Sequence, residues 1–281
     1  MRTSLLVRAL ALAFALCACE QPTSAQAQAS GSLFADAPDL QWRLPAQLRE
    51  ISGLAVSPDG RLFAHDDEHA VIYELDVAHG SVIKSFNVGE SVETGDFEGL
   101  AITPAGDFWL VTSKGRLLRF REGADRSRVE FEAFDTGLDD ICEIEGLAFL
   151  AAEESLILAC KRNKARNMRD TVSLHIWRIG AEAATPWVNI PEAEIARVAG
   201  VRRFRPSSVD FDASTGRVIL LSANNNAVVE ISTRGEIFAA RALGGDHVQA
   251  EGVAVLGGAL IVADEGADAP AALLSRYPAA P

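Results

Sequence analysis

The sequence predicts an all-β protein, a five-bladed β-propeller, on three observations. A strand motif of an apolar residue, a polar residue, Gly and an apolar run begins at Ile51, Phe97, Ile144 and Ala250, with a weaker copy at Pro206. The spacings between successive copies are 46, 47, 62 and 44 residues, the period of propeller blades that each hold several strands. A second apolar strand and then an alternating strand follow every copy. The chain has 281 residues, 48% of them hydrophobic, enough for one large domain with a buried core.

Taken in order, the chain opens with a leader. Met1-Arg2-Thr3-Ser4 is a basic start, and Leu5 to Ala18, about 14 residues, is apolar except for Arg8 and the small Cys17, too short for a membrane-spanning helix and right for a signal peptide. It ends Leu16-Cys17-Ala18-Cys19-Glu20, which resembles a bacterial lipobox. That resemblance implies cleavage before Cys19, lipidation of its thiol, and a protein held by a stable multi-chain anchor on the periplasmic side of the envelope, with Glu20 pointing to the outer membrane. Ordinary secretion, with cleavage after Ala25-Gln26-Ala27, is the alternative. The expected division is a signal peptide over 1–18, a flexible tether over 19–35 and a propeller over 36–281.

Within the propeller, each motif strand leads into a turn such as Pro58-Asp59-Gly60 or Pro104-Ala105-Gly106, where Pro presets φ and Gly permits its positive values. Second strands are expected over 62–65, 108–112, 156–160, 218–222 and 260–263. Third strands, over 71–75, 116–120, 174–179, 228–231 and 273–277, alternate apolar and polar, the mark of one buried face. Fourth strands over 82–88, 129–134, 187–190 and 237–243 complete four units. The fifth unit runs out before its fourth strand. An open last blade leaves an unpaired edge, so Leu40-Gln41-Trp42-Arg43-Leu44 is expected to close it. The long third unit carries a short helix over 191–198, begun by Pro and acids. Six blades, with a degenerate one hidden in that unit, is the alternative architecture.

The motifs Glu50-Ile51-Ser52-Gly53-Leu54, Asp96-Phe97-Glu98-Gly99-Leu100, Glu143-Ile144-Glu145-Gly146-Leu147 and Gln249-Ala250-Glu251-Gly252-Val253 resemble those of the SdiA-regulated (YjiK-like) family, as do Asp66-Asp67-Glu68 and Asp264-Glu265-Gly266. The resemblance spans about residues 38 to 278. It implies a five-bladed propeller anchored to a membrane at its N-terminus, with calcium near the central channel and no established activity. Two segments depart from it, Ala159-Cys160-Lys161-Arg162 and Ser222-Ala223-Asn224-Asn225-Asn226, where the family commonly carries Asp or Glu.

Asp and Glu outnumber Lys and Arg by 39 to 26, a net charge of −13. Such a balance excludes nucleic acid as a partner and permits cations, or is simply a solubilising surface. Glu98, Glu145 and Glu251 hold one repeat position, and five-fold symmetry brings them to the axis, with Ser52 and Ser208 in the other two places. Crowded, buried carboxylates repel one another, and hard oxygens at that density suit Ca²⁺. Asp66, Asp67, Asp264 and Asn224 are candidates to complete its shell. Neutralisation by Lys161, or capping of backbone N–H groups by the glutamates, competes with metal. His65 is a candidate base at the channel mouth, and the run from Lys161 to Arg166 with Arg169 is a solvated loop or an anion site. Cys142 and Cys160 either pair or stay free and buried. Two functions follow: a calcium-binding scaffold or binding module of the envelope, or a calcium-dependent hydrolase of phytase-like, lactonase or phosphoesterase type. The even repetition singles out no catalytic base, which favours binding.

Overall fold

The computed structural model describes residues 31–266 and 269–281. The leader and the lipidation reading at Cys19 lie outside the described residues. Among those described, no helix is long and apolar enough to cross a membrane.

Among the described residues the first strand is β1 (Leu40–Arg43), which belongs to the last blade. Blade 1 holds β2 (Ile51–Val56), β3 (Leu62–Asp66), β4 (Val71–Asp76) and β5 (Ser81–Val88). Blade 2 holds β6 (Phe97–Ile102), β7 (Asp107–Thr112), β8 (Arg116–Arg121) and β10 (Phe131–Asp135). Between β8 and β10 the short β9 (Arg128–Val129) leaves its own blade and pairs parallel with β5, giving blade 1 a fifth strand. Blade 3 holds β11 (Cys142–Leu150), β12 (Ser155–Asn163), β13 (Thr171–Arg178) and β14 (Thr185–Pro191). Blade 4 holds β15 (Ser208–Asp212), β16 (Arg217–Ser222), β17 (Ala227–Ile231) and β18 (Ile237–Ala242). Blade 5 holds β19 (Ala250–Leu256), β20 (Ala259–Asp264) and β21 (Leu273–Tyr277), and β1 completes it.

Closure is by the N-terminal strand: Leu40 faces Arg276 and Arg43 faces Leu273 in an antiparallel pair. Phe34, buried in the core, forms a further bridge with Ala279. Ser32 and the Leu33 N–H both bond Glu230 of blade 4, so residues 32–35, assigned to the tether by the sequence reading, lie docked on the propeller. The six-blade alternative fails. The extra length of unit 3 goes into long β11 and β12 strands and the helix α1 (Glu192–Ala199), whose C-cap Gly200 has φ 69.

The core lies between blades, each apolar face packing on the next. Phe63, Phe86, Phe97, Phe108 and Phe120 fill the space between blades 1 and 2. Phe63 and Phe108 meet edge-on at 5.1 Å, an arrangement that adds about 1 kcal/mol to the burial itself. Between blades 3 and 4, Ile195 of α1 and Phe204 join the cluster. At the axis the inner strands approach so closely that a side chain is excluded. A Cβ on Gly99 would sit 2.5 Å from the Leu147 nitrogen, and one on Gly146 would sit 2.8 Å from the Val209 nitrogen. The motif glycine is therefore a packing requirement of the ring.

Candidate functional site

The five inner strands, β2, β6, β11, β15 and β19, start at one mouth of the central channel. The second strands end there. At the opposite mouth the lining is apolar apart from Asp210, with Leu100, Phe149 and Phe211 around a cavity of about 210 Å³.

The polar-Gly dipeptide, Glu-Gly in blades 2, 3 and 5 and Ser-Gly in blade 1, has a structural consequence at the first mouth. In blades 1, 2 and 5 the pairing skips one residue, between Ile51 and Gly53, Phe97 and Gly99, and Ala250 and Gly252. The skipped residues are Ser52, Glu98 and Glu251. Blade 3 has its irregularity between Ile144 and Leu147, around Glu145. Each is a β-bulge, the device by which a strand re-aims one side chain out of the ladder. Blade 4 has neither Glu nor Gly, and β15 pairs with β16 without a shift. There the repeat position belongs to Ser207. Ser208, expected at it, stands instead where the other blades carry Gly, since it and Val209 pack against Gly146. Counting from Pro206, where this weak copy begins, assigns the two serines as the structure does.

Glu98, Glu145 and Glu251 interact as the symmetry requires. Burial, then Glu145, Asp96 and Glu251, push the Glu98 carboxyl up to about 10. Burial also raises Glu145, to about 7, against the pull of Lys161, whose Nζ lies 2.8 Å from its Oε1. Glu251 is raised by burial despite Gln249 and Lys161, the amide of Gln249 reaching its Oε1 at 2.7 Å. Burial opposes the charge on Lys161, but Glu145, Glu251 and Glu98 together outweigh it and hold its pKa up.

The structure adds acids that the sequence reading did not select. Glu265 stands beside Glu251 and Glu50, and burial and those two neighbours push it up to about 8. Asp96 hydrogen-bonds Glu98. Both Glu50 and Asp96 precede the motif strand at one repeat position, and Glu265 follows β20, so recurrence was the available signal. Asp67 belongs to the same arc: burial and Asp66 raise it to about 6, and its buried Oδ1 has no hydrogen-bond partner among the described residues.

Other candidates go elsewhere. Asp66 turns into its own loop, accepting the N–H of Glu68 at 3.2 Å and of His69 at 2.8 Å. Asp264 is fully buried and held by His247 Nδ1 at 2.7 Å and the Val248 N–H at 3.1 Å. Asn224 is exposed, beside Arg202, Arg203 and Arg205. His65 is fully buried, and burial depresses it to about 4; its ring packs on Gly53 and has no access to the mouth. Cys142 and Cys160 are bonded as a disulfide with Cα atoms 5.7 Å apart, next to His175. Among the described residues those three are the only His, Cys, Asp or Glu trio with donor atoms mutually within 4.8 Å. The axial acids thus offer hard oxygens and one orphaned buried oxygen, as Ca²⁺ requires, but side chains must move inward before three of them could share an ion.

A profile of the family described as SdiA-regulated matches residues 38–265. A search of curated proteins returns no match. Among solved structures the chain is similar to glutaminyl cyclase from Myxococcus xanthus, at 12% identity and a TM-score of 0.56, covering 87% of this chain and 97% of that one. It is also similar to the PQQ-bound form of an aldose sugar dehydrogenase from Streptomyces coelicolor, at 13% identity and a TM-score of 0.51, covering 88% and 97%. At these identities the likeness is one of fold, and sites differ on shared folds.

Proposed function

The chain belongs to the SdiA-regulated family, and from that footing we propose that it is an envelope-anchored binding propeller that takes up Ca²⁺ at the acidic side of its axial mouth. The observation that carries this is an imbalance. Glu98, Glu145, Glu251, Glu265 and Asp67 are all held above the ordinary carboxylate range, and Lys161 is the cation among them. Glu251, Glu265, Glu98 and Asp67 are the residues that would hold the ion. Bound there, Ca²⁺ would replace protons as the partner of these oxygens and tie neighbouring blades together. Anchorage through a lipid on Cys19 is part of the same proposal and rests on the Leu16-Cys17-Ala18-Cys19 motif.

The raised pKa values set the pH dependence. A carboxyl whose folded pKa lies above its unfolded value of 4.5 favours the folded state while it is protonated, and that stability is lost as pH rises through the folded values. In chelator the melting temperature should therefore fall between about pH 5 and pH 9, across the values near 7 and 8 of Glu145 and Glu265. Added Ca²⁺ should reverse the fall and matter most at the alkaline end, stabilising by about 2.7 kcal/mol at 100 times its dissociation constant. Glu251→Gln should weaken that response. A melting temperature indifferent to Ca²⁺ at pH 8.5, with no metal in the purified protein, would remove the calcium reading. For the anchor, Cys19→Ser should move the protein from the membrane pellet to the soluble fraction; retention in the pellet by a variant without lipid mass counts against it.

A further inference from the structure

Across the mouth from the acids, blades 3 and 4 carry the opposite charge. The repeat position just before each motif, which begins at Ile51, Phe97, Ile144, Pro206 and Ala250, is Glu50, Asp96 and Glu143 in blades 1 to 3 and Gln249 in blade 5; in blade 4 it is Arg205. Arg205 opens onto a cavity of about 560 Å³ with Arg162, Lys164, Arg169, Asn163 and Glu143. It also lines a neighbouring cavity of about 250 Å³ with Arg202, Arg203 and Asn224. The one carboxylate in the larger cavity, Glu143, is taken by Arg162 at 3.1 Å. Lys164 is engaged by Asp139, and Arg203 lies 4.0 Å from Glu192. Arg169, Arg202 and Arg205 have no carboxylate within ion-pair distance among the described residues. Three guanidinium groups left over in a chain of net charge −13 form a local reversal of sign.

The loop that presents Arg169 is fixed. The buried Asn163 donates its side-chain amide to the carbonyls of Met168 at 3.0 Å and Thr171 at 2.8 Å, holding residues 164–170 against β13. A cleft of several hundred cubic ångströms suits a small ligand. A guanidinium fork pairs bidentately with phosphate oxygens, and a phosphate, with more acceptor oxygens than a carboxylate, can engage several guanidinium groups at once.

We propose that this cleft between blades 3 and 4 binds a phosphate-bearing ligand through Arg169, Arg205 and Arg202, independently of any cation at the acidic arc. The shared chemistry has two sources, a soluble phosphate compound or the phosphate headgroup of a neighbouring lipid. The test uses the full chain in chelator, so that Ca²⁺ cannot bridge protein and phosphate. Inorganic pyrophosphate is titrated calorimetrically, and binding to phosphatidylglycerol vesicles is compared with binding to phosphatidylcholine vesicles. An Arg169→Ala/Arg205→Ala variant, checked for an unchanged melting temperature, is run beside wild type, so any lipid anchor is common to both. Should that variant melt lower, Arg169→Ala with Arg202→Ala, both exposed, replaces it. Pyrophosphate binding weakened about tenfold or more in the variant, and weakened by salt, supports a soluble ligand. A preference for phosphatidylglycerol that the variant loses, without pyrophosphate binding, supports a headgroup. Absence of both effects in wild type, or equal binding by wild type and variant, overturns the proposal.

Discussion

At the scale of single residues, Lys161 decides the electrostatics of the mouth. It lies two residues before the end of β12, at the position where blade 1 has Asp67 and blade 5 has Glu265, and it reaches Glu145 at 2.8 Å. Removing one partner of a largely buried ion pair costs about 3 kcal/mol, because the other charge is stranded. Here the stranded group can take up a proton. Lys161→Ala should therefore cost little at pH 5, where Glu145 is neutralised by protonation, and several degrees of melting temperature at pH 8.5. Equal losses at the two pH values would show that the lysine acts through packing alone. The three glutamates were legible in the sequence because they recur. The partner that holds Asp264 was not legible, for a physical reason. That partner, His247, sits in an irregular loop, and no periodicity marks a loop residue that folds back on a strand end. The same holds for Tyr277, whose hydroxyl meets the other nitrogen of His247.

At the scale of elements, the bulge at the polar-Gly pair is the unit that builds the mouth, and blade 4, which lacks the Gly, shows what happens without it. Its inner strand pairs evenly, and its serines make backbone contacts instead: Ser207 Oγ donates to the Ala250 carbonyl at 2.7 Å, and Ser208 Oγ accepts the Val253 N–H at 3.2 Å. Blade 3 holds its bulge with a covalent tie. Cys142 and Cys160 lie 18 residues apart at either side of the irregular pairing, immediately before Lys161. A loop of that length predicts about 3 kcal/mol of stabilisation from the bond. Reduction, or Cys142→Ala with Cys160→Ala, should lower the melting temperature by several degrees. A melt unaffected by reductant would leave the pair without a stabilising role. Four of the five fourth-strand assignments could be read from apolar runs. The parallel pairing of β9 with β5 could not, since two residues, Arg128 and Val129, carry no period.

Over the whole molecule the mouth is divided, acids on blades 5, 1 and 2 joined by Glu145 of blade 3, and on blades 3 and 4 arginines without a carboxylate partner among the described residues, while the opposite mouth is apolar but for Asp210. The ring that holds this division is closed by the N-terminal segment. Leu44 is buried with Leu274 and Ile261 in the cluster between blades 5 and 1, Phe34 with Tyr277 between blades 4 and 5. Glu230, nearly fully buried, receives Arg217 at 2.6 Å and Ser32 at 2.6 Å. A chain starting at residue 47 should therefore lose several kcal/mol, a large share of a typical total, and expose the β21 edge to self-association. A monomeric truncation with the wild-type melting temperature would refute this role for β1. Closure also dictates an order in time. Asp39 meets Arg276, 237 residues away. β1 is thus synthesised long before its partner, and it must wait, unpaired, until β21 exists. Contacts so distant in sequence form slowly, and for that interval blade 5 presents a bare strand edge to every neighbouring chain.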